Sequence, residues 1–299
     1  MQCWGQLGLH TVENTIAVTG GDSFTCTLNR TSHGVTCSGS SAGIDMAHAT
    51  PAMTRADVRA ISAGTYHACA VLVNGSGICW GYDAARGGSV STRPVLSRLL
   101  AAGNVAAVAA GDACTCVLNK TSFLVCDGAP SFCPTTPLAV VQLGTSVAAV
   151  SVGGTHVCAI GCEGYLRYWG GTGTAPSLVP LEASGPVAAV ACGGYHTLAL
   201  LQSGTVVCFG SNTESQCFVP PIVAQSGLVV AISAGWYHSC ALLIDGSSQC
   251  WGDDSAAEVS GRPSGLTRVP QLLITGISVS NLRTQRLKHR PRRRRPQQC

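Results

Sequence analysis

Charged and aromatic side chains are scarce in this chain of 299 residues. Charged residues make up 11% of the sequence and aromatic residues 5%, whereas hydrophobic residues make up 46%. A chain this apolar is not a disordered one, and it can bury a sizeable core. Its 36 glycines, set among small and β-branched residues, favour short strands joined by tight turns.

Signals for secretion, membrane insertion and catalysis are also missing. The start, MQCWGQLGLHT, has neither a basic region nor an apolar core region. No Gly-rich phosphate loop, Ser/His/Asp arrangement or pair of catalytic carboxylates stands out, so we expect no enzyme activity and no cofactor. The uncharged run 222–244 is long enough to span a membrane, but it is one copy of a repeat, and we expect no membrane insertion.

Basic charge is confined to one end of the chain. Eight of the 18 Lys and Arg residues lie in the last 17 positions, and the remainder carries 10 basic and 14 acidic residues. This distribution argues against a nucleic-acid surface on the body of the protein. The tail 281–299 is predicted to be disordered. It is typical of a nuclear-localisation or nucleic-acid arm, a proprotein-processing site or a terminus without function, and it includes Arg292, Arg293, Arg294 and Arg295.

One sequence unit recurs six times, at 16–39, 58–81, 105–128, 147–170, 187–210 and 228–252. A glycine shared by the copies recurs at intervals of 43, 47, 42, 40 and 42 residues. Each copy holds three short apolar or alternating runs. A fourth run with a proline, such as RPVLSRLL (93–100) or APSLVPLE (175–182), leads to the next copy. Four strands at this period indicate the blade of a β-propeller.

The second and third runs of a copy predict a hairpin that opposes two cysteines. With a three-residue loop at 73–75, Leu72 faces Ser76 and Cys69 faces Cys79. The third loop position suits a left-handed glycine, and four copies place Gly75, Gly164, Gly204 and Gly246 there. Because opposed residues lie within disulfide distance, the pattern predicts the disulfides Cys26–Cys37, Cys69–Cys79, Cys116–Cys126 and Cys240–Cys250, with reduced core thiols as the alternative.

Other cysteines are not assigned by this pattern. The fourth copy places Cys158 opposite Tyr168, and the fifth places Leu198 opposite Cys208. Cys162, Cys192 and Cys217 are nearby candidate partners. The sequence leaves open the partners of Cys3, Cys114, Cys133, Cys158, Cys162, Cys192, Cys208, Cys217 and Cys299.

Three N-glycosylation sequons, at Asn29, Asn74 and Asn119, fall in the same hairpin loops. Loop tips beside oxidisable cysteine pairs are where a secreted protein would carry glycans. The sequence therefore favours a protein of the secretory route.

Repetition argues against a catalytic or metal-binding histidine. His67, His156, His196 and His238 occupy one column, behind the aligned Gly64, Gly153, Gly193 and Gly235, and Trp80, Trp169 and Trp251 end three of the copies. A catalytic base is needed once, whereas every blade needs packing. We expect each histidine to hydrogen-bond inside its own blade and the tryptophans to pack between blades. We expect no metal, although H-x-C could supply two zinc ligands.

The consensus G-x-x-H-x-C-A-L-x8-C-W-G, with CWGQLG at 3–8, resembles the regulator of chromosome condensation repeat family over about residues 1–280. The resemblance implies an all-β, seven-bladed β-propeller of four-stranded blades. The family's founding member is a nuclear exchange factor for the small GTPase Ran that also docks on nucleosomes. Other members are binding modules in ubiquitin ligases, Crinkly-type receptor kinase ectodomains and secreted bacterial proteins. The paired cysteines are similar to those of the extracellular branches.

The resemblance also implies that the first and last segments close one blade together. Here 1–8 and 269–280 would supply the ends of an incomplete seventh blade that lacks the middle hairpin strand. The alternative is six blades with remnants. We favour the first interpretation and expect the chain to be a fragment of a longer protein.

Three functions are compatible with these features. The leading hypothesis is a non-enzymatic scaffold that binds a protein partner on one propeller face, in an ectodomain or secreted module of the extracellular space or secretory lumen. The alternative is a guanine-nucleotide exchange factor for a Ran-like GTPase, nuclear or cytoplasmic, with the Arg-rich tail aiding chromatin or nuclear targeting and making any nucleic-acid contact. A lectin or adhesion role is a third, weaker hypothesis.

Overall fold

The computed structural model describes residues 2–3, 10–11, 14–41, 44–45, 57–83, 88–89, 94–121, 123–129, 133, 147–170, 185–225, 227–255 and 278–279. These residues form 23 strands and two short helices. In chain order they are β1 Gln2–Cys3, β2 His10–Thr11, β3 Thr15–Gly20, β4 Phe24–Asn29, β5 Val35–Ser41, β6 Ile44–Asp45, β7 Val58–Ala63, β8 His67–Leu72, β9 Gly77–Asp83, β10 Gly88–Ser89, α1 Pro94–Ala101, β11 Val105–Ala110, β12 Cys114–Asn119, β13 Leu124–Gly128, β14 Val147–Val152, β15 His156–Gly161, β16 Leu166–Gly170, β17 Val187–Cys192, β18 His196–Leu201, β19 Val206–Gly210, α2 Pro221–Ala224, β20 Val229–Ala234, β21 His238–Leu243, β22 Ser248–Gly252 and β23 Ser278–Val279.

Each repeat folds into an antiparallel sheet, and the all-β propeller prediction is confirmed. We number the sheets in chain order as blades 1 to 6: β3–β6, β7–β10, β11–β13, β14–β16, β17–β19 and β20–β22. Their alternating apolar side chains meet in clusters that span neighbouring blades. The core therefore lies between the sheets, as it does wherever propeller blades stack.

The hairpin register follows the sequence prediction. In blade 2, Cys69 is paired with Cys79, and the Leu72 N–H donates to the Ser76 carbonyl at 2.8 Å. Gly75 has φ +85°, and Gly164, Gly204 and Gly246 have φ between +83° and +87°. Glycine at these positions avoids the strain that a side chain would meet in the left-handed region.

The fourth run was predicted wrongly in one blade. Within 93–100 the chain forms α1, not a strand, and Leu100 of this helix is buried in the core cluster of blades 2 and 3. Proline suits the first position of a helix, and the leucines that follow have helical rather than alternating spacing. The fourth strand of blade 2 is instead β10, which pairs with β9. The run 175–182 lies outside the described residues.

The ends of the chain are described only in short pieces. β1 pairs with β2, and β23 pairs with β14, the first strand of blade 4. The seventh blade, formed by 1–8 and 269–280, stays a prediction. In the part of the chain that is described, no helix is long and apolar enough to cross a membrane.

Candidate functional face

The two ends of each blade carry different loops. The second strand of a blade begins after the glycine loop that follows the first strand, and it ends at the predicted hairpin loop. Because this strand is six residues long in every blade, the two loops lie roughly 20 Å apart. We call the end with the glycine loops the aromatic face and the end with the hairpin loops the hairpin face.

Three aromatic residues cluster at the aromatic face. Trp236 lies 5.6 Å from Tyr195 and 6.1 Å from Tyr237 between ring centroids, and both tyrosines are exposed. The indole rests on the glycine loops of blades 4 and 5. A Cβ at Gly194 would lie 2.5 Å from its ring, and a Cβ at Gly154 would lie 3.0 Å away. Glycine at both positions therefore lets one tryptophan extend over two neighbouring blades.

Trp236 reaches from blade 6 to blade 2, where it bonds a threonine that is linked in turn to a carboxylate of blade 3. Its indole N–H donates to the Thr65 hydroxyl at 3.3 Å, and Thr65 hydrogen-bonds Asp112 of blade 3. Burial raises the pKa of Asp112, although the bond from Thr65 opposes this rise. Asp112 Oδ1 is buried and has no hydrogen-bond partner among the described residues. A buried acceptor without a donor costs free energy. Because Asp112 as a whole is only partly buried, its charge also attracts cations to this face.

A second aromatic pair extends this surface. Tyr66 and Tyr82 pack edge to face with ring centroids 6.3 Å apart. Burial raises the pKa of Tyr66, and the negative charges of Asp112 and Asp22 raise it further. Aromatic rings beside two carboxylates form a surface suited to a lysine or arginine side chain.

The histidine column holds neighbouring blades together, which corrects the prediction that each histidine bonds inside its own blade. His67 Nε2 lies 2.7 Å from the Thr115 hydroxyl of blade 3. In the same way, His156 bonds Thr197 of blade 5, and His196 bonds Ser239 of blade 6, at 2.8 and 2.9 Å. The side chain of the first residue of a second strand points toward the next blade, so its partner comes from there.

The hydroxyl partners were missed in the sequence, although the repeats carry a signal for them. Each polar partner directly follows the histidine column of the next blade. Where the column holds Phe24 instead, the residue at the partner position is Ala68, and both lie in one apolar cluster. Where it holds Cys114, the partner position is Val157, again in a shared cluster. Matching polarity between consecutive copies is what a buried inter-blade hydrogen bond requires.

Acid is expected to destabilise the protein through His196. Burial, followed by the charges of His156 and His238, lowers the pKa of His196 to about 4. An unfolded histidine titrates near 6.5, so the unfolded chain binds more protons between these values. The contribution of neutral His196 to the free energy of unfolding is therefore fully present above about pH 6.5. The free energy of unfolding falls by roughly 2–3 kcal/mol as the pH drops to 4.5. Urea unfolding at both pH values measures this loss. His196→Gln should show a correspondingly smaller loss, and an equal loss in the variant would contradict the assignment.

The four predicted hairpin pairs are disulfides in the structure, with Cα–Cα distances of 4.0 to 4.1 Å: Cys26–Cys37, Cys69–Cys79, Cys116–Cys126 and Cys240–Cys250. Two further disulfides, Cys114–Cys133 and Cys208–Cys217, join residues that the sequence left unassigned. Cys162 is also disulfide-bonded. The buried Cys158 and Cys192 are free.

The remaining predicted site residues take structural or peripheral places. Trp80 and Trp251 are buried and lie in clusters shared with the preceding blade, and Trp169 packs against the cluster of blades 3 and 4. In each sequon the asparagine Oδ1 accepts a backbone N–H of its own hairpin loop; these residues are Asn29, Asn74 and Asn119. Their glycosylation stays a prediction. Arg292, Arg293, Arg294 and Arg295 lie outside the described residues.

Known proteins share both the repeat and the fold. The regulator of chromosome condensation (RCC1) repeat matches residues 187–216 and 229–256. The mitochondrial RCC1 domain-containing protein RUG3 of Arabidopsis thaliana is 28% identical over 199 residues, which are 56% of this chain and 45% of that protein. This chain thus spans about half the length of that relative.

Solved structures show the same architecture. The CRINKLY WD40 ectodomain of the Arabidopsis thaliana receptor kinase ACR4 superposes with a TM-score of 0.59 at 28% identity, over 82% of each chain. Prp20p of Saccharomyces cerevisiae, whose binding to Gsp1p and histones has been characterised, superposes with a TM-score of 0.61 at 16% identity, over 80% of this chain and 72% of its own. The family model thus identifies regulator of chromosome condensation repeats in blades 5 and 6, and the other four copies share their sequence pattern and fold as stacked blades.

Proposed function

We propose that this propeller is a non-enzymatic binding scaffold that docks a protein partner on its aromatic face. The observation that carries the proposal is the exposed pair Tyr195 and Tyr237 around Trp236, whose indole rests on two glycine loops. Tryptophan and tyrosine are enriched among the residues that dominate binding energy at protein interfaces. Because Trp236 contacts several blades, its position is fixed before a partner arrives, which limits the entropy lost on binding.

The charge of this face supports a partner that presents a basic side chain. Asp112 is partly exposed, and the Tyr66 side chain lies near the carboxylates of both Asp112 and Asp22. A guanidinium group can hydrogen-bond a carboxylate while its flat surface stacks on an aromatic ring. The pairing is worth more here than at an open surface because the carboxylate is partly removed from water.

An extracellular or secretory-lumen setting is part of the proposal. The hairpin disulfides support it, because such bonds persist in oxidising compartments. The three sequons all lie toward the hairpin face, where Asn74 is exposed. Glycans at these positions would leave the aromatic face open to a protein partner.

Titration with short peptides tests the proposed face. We expect a capped Gly-Arg-Gly peptide to bind in calorimetry and its citrulline counterpart to bind at least about tenfold more weakly, because citrulline lacks the charge. Trp236→Ala and Asp112→Asn should each weaken binding by about tenfold, which corresponds to about 1.4 kcal/mol. Val73→Ser, at an exposed apolar residue of the hairpin face, is the control and should bind as the parent does.

Two results would contradict the proposed face. One is equal binding of the arginine and citrulline peptides, and the other is unchanged binding by a Trp236→Ala protein with a native circular dichroism spectrum. Nucleotide exchange is the second candidate function, which the family resemblance suggests, with the Arg-rich tail aiding chromatin or nuclear targeting. Faster nucleotide release from a Ran-like GTPase in the presence of this chain would favour exchange over a purely scaffolding role.

A further inference from the structure

A buried cluster of three metal-ligating groups lies between blades 4 and 5. One ring nitrogen of His156 and the sulfurs of Cys158 and Cys192 all lie within 4.8 Å of one another. His156 is 3% exposed, and both cysteines are fully buried. Elsewhere in the described chain, the other such group consists of Cys114, Cys116 and Cys126, whose sulfurs are consumed in disulfides.

Among the described blades this cluster occurs at one boundary alone, so the objection that a metal site would recur in every blade does not apply to it. Cys158 sits where other blades have a hairpin disulfide, but the residue opposite it is Tyr168. Cys192 ends the first strand of blade 5, at the place where three other blades have alanine: Ala63, Ala110 and Ala234. The loss of the hairpin cysteine thus coincides with a new cysteine facing Cys158 from the next blade.

The surroundings match the outer shell of a metal site. His156 Nε2 bonds the Thr197 hydroxyl at 2.8 Å, which leaves Nδ1 as the ring nitrogen for an ion. Metal-binding histidines usually donate their other N–H to such a group, and this fixes the ring. Tyr168 stacks on the His156 ring with centroids 5.1 Å apart. In blade 5, His196 makes the equivalent bond to Ser239, but its Nδ1 is buried without a hydrogen-bond partner.

The two thiols are electrostatically unequal. Burial raises the pKa of Cys158, and its coupling to Cys192 raises it further. Burial also opposes ionisation of Cys192, but the hydrogen bond with Cys158 and the interactions with His156 outweigh it and lower the pKa of Cys192. Metal ions bind the thiolate form of cysteine.

We propose that His156, Cys158 and Cys192 bind one thiophilic metal ion, Zn²⁺ or Cu⁺, that joins blades 4 and 5. Two thiolates and an imidazole form a donor set that both ions accept. The ion replaces the protons of the two thiols, which pass to the solvent, and no electron is transferred. The affinity should therefore rise with pH.

The test uses the full chain with its disulfides intact. Zn²⁺ is titrated against a chromophoric chelator, and Cu⁺ is titrated without oxygen against a Cu⁺-selective chelator, so that the two arms identify the ion. We expect one equivalent of at least one ion to bind. Co²⁺, as a spectroscopic probe, should show sulfur-to-metal charge-transfer absorption. Cys192→Ala introduces the alanine that three other blades have at this position, and it should lower the metal affinity more than 100-fold. Thr197→Val should lower the affinity about tenfold.

His196→Gln is the matched control. His196 is the equivalent of His156 at the boundary of blades 5 and 6, where no free thiol lies among the described residues, so this variant should still bind the metal. The proposal is overturned if neither ion binds the parent chain more tightly than it binds Cys192→Ala. It is also overturned if non-reducing peptide mapping of the native protein finds a Cys158–Cys192 disulfide, since the sulfurs would then be unable to ligate a metal.

Discussion

Gly64→Ala is expected to lower the free energy of unfolding by about 3 kcal/mol or more, the upper range for overpacking in a core. A Cβ at Gly64 would lie 1.8 Å from the carbonyl oxygen of Gly111 in blade 3. The obstacle is main chain, so no side-chain rotation can relieve it. The Gly64 N–H is also fixed by a 2.8 Å bond to the His67 carbonyl. The two blades must therefore separate, and the contacts between their first strands are lost.

Gly20→Ala supplies a control at the end of β3, directly before the equivalent glycine loop of blade 1. Its Cβ would meet the Phe24 carbonyl oxygen at 3.6 Å, an ordinary contact distance. We expect a stability within about 1 kcal/mol of the parent, with any gain coming from the reduced freedom of the unfolded chain. Urea unfolding of both variants checks the pair. Equal stabilities would show that close approach of the glycine loops is not what holds blades 2 and 3 together.

Removing one hairpin disulfide has the second largest expected effect. Replacing both Cys69 and Cys79 by alanine removes a cross-link between residues 10 apart in sequence. From the entropy that such a loop loses in the unfolded chain, the free energy of unfolding should fall by about 3 kcal/mol. Register should survive the loss, because blade 5 keeps the same pairing with Leu198 opposite Cys208. The variant should therefore fold natively but unfold at a lower urea concentration.

The control for this experiment is Cys192→Ala, measured without added metal. It deletes a buried thiol that forms no disulfide, so it removes packing without releasing a loop, and a loss of about 1 kcal/mol is expected. If the double variant of Cys69 and Cys79 lost no more than this control, the hairpin disulfide would contribute nothing beyond its packing.

Local features of a blade could be predicted from the sequence. The loop 73–75 fixes which residues oppose one another, because pairing in a hairpin is determined by loop length and turn type. The observed pairing of Cys69 with Cys79 and the positive φ of Gly75 follow from that alone. Six copies of one pattern made the prediction strong, since chance agreement at one loop would not recur in the others.

Contacts between blades could not be predicted in the same way. His67 and Thr115 are 48 residues apart, and Trp236 and Thr65 are 171 apart. Such pairs depend on how the sheets are turned against one another, which strand periodicity does not encode. The helix α1 was missed for a different reason: a short apolar run beside a proline is compatible with a strand or a helix, and the packing of Leu100 decides between them.

Disulfide mapping of the native protein, by peptide mass spectrometry with and without reduction, tests the central claim most directly. A disulfide-paired binding propeller of the secretory route predicts cross-linked peptides for Cys26–Cys37, Cys69–Cys79, Cys116–Cys126 and Cys240–Cys250, with Cys158 and Cys192 reactive only after unfolding. Free thiols at Cys69, Cys79, Cys240 and Cys250 in the native protein would contradict that account and favour an intracellular exchange factor.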